Sequence, residues 1–208
     1  MSAKWGQYHA EDVRALIEQY PLAWVCSTRG FPEAAQLPMI AEYGPAGELV
    51  ALIGHMARAN PLHGALMAHG ETLVLFSGPA AYISPEHAGK RDWAPTWNYA
   101  QLRVRGDVLI DEALTDMSLA ILTAAMEQGR AEPWTAGEIA HRYAAMTRAI
   151  IGFRIDVTAL EARFKLAQDE DDATFARILD RHPDGDLVAW MRRLNAGRVE
   201  KSTGPLTT

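Results

Sequence analysis

The segment LAWVCSTRGFPEAAQLPMIAEYGPAGELVALIGH, residues 22–55, decides the fold of this chain. It contains three apolar runs separated by the clusters GFPE and GPAG, which are rich in turn-forming residues. Such short connections join antiparallel strands, because a parallel crossover needs a dozen or more residues. The segment therefore predicts three consecutive antiparallel strands at 22–29, 34–43 and 47–55.

Regular elements are also predicted on both sides of this segment. An amphipathic helix at His9–Tyr20 precedes it, and Asn60 and Pro61 suit the cap and first residue of a helix that ends near Gly70. The other predicted elements are strands at 71–78, 80–85, 96–111, 151–160 and 162–168, an ordered loop at 84–95, and helices at 111–128, 135–150, 172–180 and 184–194.

Many short antiparallel strands with inserted helices indicate an α+β fold. A closed or partly closed barrel is favoured because it removes exposed strand edges. The strands on both sides of the helical insertion are predicted to share one sheet. We therefore expect a single domain over residues 1–195 and a flexible tail over 196–208.

The composition argues against several classes of protein. A net charge of -6 disfavours broad contact with nucleic-acid phosphates, so direct DNA binding is doubtful. The single cysteine, Cys26, predicts a reducing cytoplasm, and neither a secretory signal nor a membrane span is predicted. The common nucleotide, hydrolase and metal-ligand motifs do not occur, so no catalytic residue and no metal site is predicted.

The stretch GHMARANP, residues 54–61, has the features of an anion site. A strand end delivers Arg58 beside the N-terminus of a helix that Asn60 caps. A guanidinium fork and free backbone N–H groups together suit a phosphate. An ordinary surface arginine beside a well-formed cap explains the same residues, and this alternative stays open.

Two further stretches carry polar residues that suit a ligand. In APTWNYA, residues 94–100, Thr96, Trp97 and Asn98 offer a hydroxyl, an aromatic face and an amide, as a planar heterocycle requires. The same residues also suit a strand whose aromatic side chains pack in the core. In FKLAQ, residues 164–168, Lys165 and Gln168 are a weaker candidate, because Lys165 also suits an edge strand that resists aggregation.

Five stretches, taken in order, resemble the PaiB-type family of FMN-binding negative transcriptional regulators. They are IGHMARANP, FSGPAAYISP, APTWNYA, RAIIGFRIDV and RFKLAQ. The resemblance implies an antiparallel split β-barrel with flanking and inserted helices. It also implies a homodimer that binds FMN at the subunit interface and has a role in negative transcriptional regulation.

The resemblance also implies roles for particular residues. Arg58, with His55 and Asn60 nearby, matches the phosphate-binding strand end of the family. The other residues expected near the flavin are Thr96, Trp97, Asn98, Lys165 and Gln168.

Among the substitutions that separate this chain from the family pattern, which include Ala167 for a serine and Asp169 for an asparagine, two matter most. Gln36 stands where the family has a histidine, and His63 where it has a tryptophan. Gln36 keeps the ability to hydrogen-bond a flavin edge, so it is included among the candidate cofactor-binding residues.

Two alternative functions stay open at this point. FMN-binding split barrels include flavin-dependent oxidoreductases, which would use NAD(P)H as the electron donor. Some split barrels bind haem instead, and His55, His63 and His87 are conceivable ligands for its iron.

Overall fold

The computed structural model of the chain describes residues 3–198. The strands are β1 (Leu22–Ser27), β2 (Ala34–Pro38), β3 (Ile40–Tyr43), β4 (Leu49–Ala57), β5 (Glu71–Ile83), β6 (Thr96–Ile110) and β7 (Ile150–Lys165). The α-helices are α1 (Ala10–Gln19), α2 (Pro61–His69), α3 (Pro85–Ala88), α4 (Ala113–Glu127), α5 (Ala140–Thr147), α6 (Asp172–Arg181) and α7 (Gly185–Leu194). Short 3-10 helices lie at Ala3–Gly6 and Ala136–Ile139.

The seven strands form one antiparallel sheet in the order β2-β1-β5-β6-β7-β4-β3. Its two edge strands, β2 and β3, are consecutive in the chain and are joined only by Met39. Because consecutive Cα atoms lie about 3.8 Å apart, the end of β2 and the start of β3 are neighbours in space. The sheet must therefore curl into a barrel, which is split between these two edges.

Met39 is fully buried at this joint, and its N–H donates to the carbonyl of Pro21 at 2.9 Å. Gly54 of β4 lies against it. A Cβ atom at position 54 would lie 2.9 Å from both Met39 Sδ and Phe153 Cζ. Only a glycine at position 54 therefore leaves room for the Met39 side chain.

Three predictions of strand boundaries are corrected by the sheet. The predicted strands at 71–78 and 80–85 are one strand, β5, because a register shift between Ser77 and Ala80 absorbs the Gly-Pro pair without a turn. The predicted strands at 151–160 and 162–168 are likewise one strand, β7, which pairs with β6 from Phe153 to Lys165. The predicted strand at 34–43 is divided at Met39.

The predicted helices are present, with two changes. The predicted loop at 84–95 contains α3, whose start Ser84 caps. The predicted helix at 135–150 has its capping box at Thr135 and Glu138, but it begins as a 3-10 helix before α5. These differences are local and leave the order of elements unchanged.

The C-terminal helices cover one end of the barrel. Trp190 of α7 is buried, stacks on Phe164 with ring centroids 5.7 Å apart, and donates its indole N–H to Gln19 at 3.0 Å. Arg198, inside the predicted tail, bonds to Asp172 at 2.8 Å, and residues 199–208 of that tail lie outside the described residues. Between residues 3 and 198, no helix has the length and apolar character needed to cross a membrane.

We expect Gly54→Ala to destabilise the protein by about 1–3 kcal/mol, because the added methyl group overpacks the contact between Met39 and Phe153. Urea denaturation measures this change. Gly64→Ala is the matched control, since a Cβ at position 64 of α2 meets no atom within 4 Å. The control should gain about 0.5–1 kcal/mol of stability. Equal free energies of unfolding for the two variants would contradict close packing of Gly54 against Met39 and Phe153.

Candidate functional site

Arg58 lies one residue beyond the end of β4, and its guanidinium is already bonded. Nη1 and Nη2 donate to the two carboxylate oxygens of Glu112 at 2.6 and 2.5 Å, and Nε donates to the carbonyl of Arg148 at 3.0 Å. The hydrogen bond from Arg58 lowers the pKa of the Glu112 carboxyl group. The residue predicted to bind phosphate therefore pairs with an exposed carboxylate of the same chain.

The N-terminus of α2 offers fewer free donors than the sequence predicts. Asn60 Oδ1 accepts the N–H of Leu62 at 3.0 Å, and the Asn60 carbonyl accepts the N–H of His63 at 2.9 Å. Pro61 has no N–H to offer. The prediction of Asn60 as a helix cap is confirmed, but the prediction of free N–H groups is wrong for Leu62 and His63.

His55 lies on β4, opposite Gly152 of β7. Its Nδ1 atom is buried and has no hydrogen-bond partner within residues 3–198. Burial lowers the pKa of His55, so the imidazole stays neutral at neutral pH. The start of α4 packs on this strand pair, because the hydroxyl of Thr115 accepts the Gly152 N–H at 3.0 Å.

Thr96 and Lys165 meet at the opposite end of β7. The ammonium of Lys165 donates to the Thr96 hydroxyl and lies 5.3 Å from the ring centroid of Trp5. A cavity of about 340 Å³ opens beside this pair. Its walls include Trp93, Asn98, Glu170 and Ile178. This cavity has the size of a small ligand subsite and carries a cation at its edge.

Trp97 and Asn98 point to opposite faces of β6, as successive residues of a strand must. The Asn98 side chain is buried, and its Nδ2 has only a weak sulfur acceptor, Met191 Sδ, at 3.7 Å. The Trp97 ring is 57% exposed and packs edge-to-face on Tyr82, with centroids 6.0 Å apart. A single planar ligand therefore cannot contact both side chains from one face of β6.

Gln168 supports the backbone at the end of β7. Its Oε1 accepts the Leu166 N–H at 2.7 Å, and its Nε2 donates to the Phe164 carbonyl at 2.5 Å. The neighbouring Ala167 has a φ of 65°, a conformation that costs energy for a residue with a Cβ atom. The Gln168 amide therefore holds a strained turn at the end of β7.

Gln36 lies apart from these residues on the edge strand β2. Its position is exposed and opposite Trp24 of β1, whose ring is 44% exposed. No other predicted site residue lies on β1 or β2. The polar amide is thus beside an exposed aromatic side chain on the outside of the barrel.

The remaining candidates form two groups at opposite ends of β7. His55 is opposite Gly152, whereas Tyr99, near Thr96, is opposite Lys165. Thirteen residue steps of β7 separate these two register positions, which is a path of about 40 Å. One copy of the chain therefore does not bring the Arg58 group and the Lys165 group together along this strand.

Several contacts of the candidate site were missed in the sequence. Glu112 binds Arg58 across 54 positions, Trp5 lies over Lys165, and the Trp93 indole N–H donates to the Glu170 carboxylate at 3.1 Å. Nothing in the local pattern around these residues pairs them. The pairing of β6 with β7 brings the segments that flank these strands together, and the N-terminal 3-10 helix, which packs on β7, supplies Trp5.

The donors at the two ends of β7 fit a phosphorylated heterocycle. The guanidinium of Arg58 matches the geometry of phosphate oxygens, while Thr96, Asn98 and Lys165 supply a hydroxyl, a poorly bonded amide and an ammonium group. The cavity beside Lys165 also has apolar walls. The chemistry of both groups is thus compatible with a flavin nucleotide.

Residues 1–159 match the family described as "Putative FMN-binding domain". The chain belongs to this family. A relative from Bacillus subtilis (strain 168), "Protease synthase and sporulation protein PAI 2", is 25% identical over 175 residues, 83% of each chain. The resemblance to PaiB-type proteins is thereby confirmed, and FMN is the cofactor that the family assigns to this FMN-binding domain protein.

Two solved structures share the fold of this FMN-binding domain protein. The flavocytochrome Anf3 from Azotobacter vinelandii is 19% identical, with a TM-score of 0.55 over 86% of this chain and 75% of its own. The FAD and heme binding protein from Mycobacterium smegmatis is 17% identical, with a TM-score of 0.56 over 82% of this chain and 78% of its own. These likenesses confirm the predicted α+β split-barrel fold.

We expect Thr115→Val to destabilise this FMN-binding domain protein by about 1–3 kcal/mol, because the buried N–H of Gly152 loses its acceptor. Urea denaturation measures the loss, and hydrogen exchange should show faster exchange at Gly152. Thr123→Val, at a half-buried position of the same helix, serves as control and should change stability by less than about 0.5 kcal/mol. If both variants lost the same free energy of unfolding, the hydrogen bond from Gly152 to Thr115 would not contribute to the docking of α4 on the sheet.

A pair of histidines joins α3 to the end of α6. The rings of His87 and His182 lie 4.7 Å apart, and each Nδ1 accepts a backbone N–H at 3.2 Å, from Ser84 and Asp184 respectively. Burial, and then the neighbouring His182, lower the pKa of His87 below its ordinary value of 6.5, while Glu86 opposes this change. Protonation of His87 at Nδ1 would remove the acceptor for Ser84.

This geometry predicts an acid-sensitive contribution to stability. Because the folded-state pKa of His87 is lowered, the contribution is fully present above about pH 6.5 and is lost as the pH falls towards the folded-state pKa. Denaturation measured from pH 7 to pH 5 should therefore show a shallower loss of unfolding free energy in His87→Gln than in the natural protein. His141→Gln, at an exposed position of α5, should keep the natural slope. An unchanged slope in His87→Gln would refute this assignment.

Proposed function

We propose that the chain is a homodimeric FMN-binding split-barrel protein in which each flavin lies between two subunits. The position of the two candidate groups at opposite ends of β7 carries this proposal. A two-fold axis, the commonest symmetry of protein dimers, would bring the Arg58 group of one subunit to the Lys165 group of its partner. The pairing also makes each site depend on both subunits.

The residues of each subunit then have separate roles. The Arg58 guanidinium would hold the phosphate, because its paired N–H groups match two phosphate oxygens. The partner's Lys165, with Thr96 and Asn98, would bond the polar edge of the ring system. A bound flavin supplies hydride or single-electron transfer, and the side chains position it and exclude water from it.

We further propose that the dimer acts in negative regulation of transcription through a protein partner or through the state of its flavin, rather than by reading DNA. The net charge of -6 supports this, because binding to duplex DNA depends on neutralising many phosphates. The half-buried free thiol of Cys26 supports a reducing cytoplasmic setting for the protein.

The shared site is tested by mixing two defective variants. Arg58→Ala should weaken FMN binding by about 1.5–3 kcal/mol, because a charged hydrogen-bond donor is lost, and Lys165→Ala should also weaken it. When the two variants are unfolded together and refolded, half of the dimers combine both chains, and each of these carries one intact site. About a quarter of all sites should therefore regain FMN binding. Flavin fluorescence titration after gel filtration measures the recovery.

The matched control mixes Arg58→Ala with the double variant Arg58→Ala/Lys165→Ala, which can form no intact site. Native mass spectrometry verifies that mixed dimers form in both experiments. Mixed dimers without recovered binding would show that the two groups do not share a flavin. Unchanged FMN affinity in Arg58→Ala would show that Arg58 does not bind the phosphate.

A further inference from the structure

We propose that Glu112 competes with the phosphate of FMN for Arg58 and so sets how tightly the site holds phosphorylated flavin. The inference rests on the proposed function, in which Arg58 is the phosphate ligand. It adds a residue of this chain that opposes binding.

The competition follows from the shared donors. Both Nη atoms of Arg58 donate to Glu112, one to each carboxylate oxygen, and Nε is held by the carbonyl of Arg148. A phosphate would approach the same paired N–H groups, because carboxylate and phosphate both match the guanidinium fork. The two acceptors therefore exclude each other at the face of Arg58 that Glu112 occupies.

The fold does not depend on the Glu112 carboxylate. Glu112 stands at the N-cap position of α4, yet its side chain makes no capping bond. Asp111 Oδ1 accepts the Ala113 N–H at 2.9 Å, and Thr115 accepts the N–H of Gly152. These bonds hold the start of α4 without Glu112, whose side chain is 72% exposed and can turn into solvent.

Charge repulsion between the phosphate and Glu112 adds to the competition, but the resulting loss of phosphate affinity is small. A phosphate beside the ionised carboxylate would be repelled, so binding favours conformers in which Glu112 has moved away. Exposed ion pairs are weak, so the pair with Arg58 lowers the affinity for phosphate without blocking the site. The other carboxylate nearby, Asp116, accepts a hydrogen bond from the Tyr143 hydroxyl at 2.9 Å. Glu112 is therefore the carboxylate that must leave Arg58 when a phosphate binds there.

The experiment compares FMN with riboflavin, which has the same ring system but no phosphate. In the full chain, Glu112→Gln should bind FMN about two- to fivefold more tightly, because the competing charge is removed from Arg58. Its riboflavin affinity should not change. Glu71→Gln is the matched control, since Glu71 also forms a solvent-exposed ion pair with an arginine, Arg29. This control should keep the natural affinities for both flavins.

The variants also separate failure of this inference from failure of the proposed function. In an Arg58→Ala background, Glu112→Gln should no longer change FMN binding. If Arg58→Ala weakens FMN binding but Glu112→Gln leaves the ratio of FMN to riboflavin affinity unchanged, only the competition is refuted. Weaker FMN binding by Glu112→Gln would mean that Glu112 positions Arg58 for the phosphate. That result would also refute the competition. If neither Arg58→Ala nor Glu112→Gln alters FMN binding, both proposals fail.

Discussion

The one-residue connection at Met39 is the constraint on which the rest of the structure depends. It joins the two edge strands of the sheet, so the sheet cannot lie open, and the barrel closes around the side chain of Met39. Closure fixes the position of β4, where Gly54 makes room for the methionine. The register between β4 and β7 then places Arg58 beside the start of α4. The geometry at the candidate site is thus a consequence of packing at the joint.

Local features of the fold could be predicted because they depend on neighbouring residues. Short stretches of sequence specify the turns after β1 and β3 and the Asn60 cap of α2. The continuity of β5 and β7 could not be predicted in this way. In β5 the Gly78-Pro79 pair resembles a break until the ladder with β6 spans it, and in β7 the predicted break at Glu161 lies within regular pairing to Arg103 of β6. The partner strand, which is remote in sequence, decides between a bulge and a turn.

The predicted site residues fall into the same two classes. Some bond to backbone groups that are near in sequence, and others bond to side chains that are remote in sequence. Asn60 and Gln168 are two of the residues predicted to bind the cofactor, and in the structure both side chains are bonded to backbone groups. Withdrawing such a bond leaves a backbone N–H or carbonyl group without a partner, which is costly where that group is buried. Arg58 and Lys165 instead bond to the side chains of Glu112 and Thr96. Exchanging the exposed carboxylate of Glu112 costs little, so Arg58 is the better candidate for ligand contact.

Arg58 also connects the site to the helical insertion between β6 and β7. Its backbone N–H donates to the carbonyl of Ala149, its Nε to that of Arg148, and its Nη atoms to Glu112. These partners stand at the two ends of the insertion, so one residue holds both ends against β4. If a ligand takes the place of Glu112, the end at α4 loses one side-chain contact, while the backbone bond to Ala149 persists. If Arg58 holds the flavin phosphate as proposed, a change of partner at this guanidinium group would be the first step that connects phosphate binding to the helical insertion.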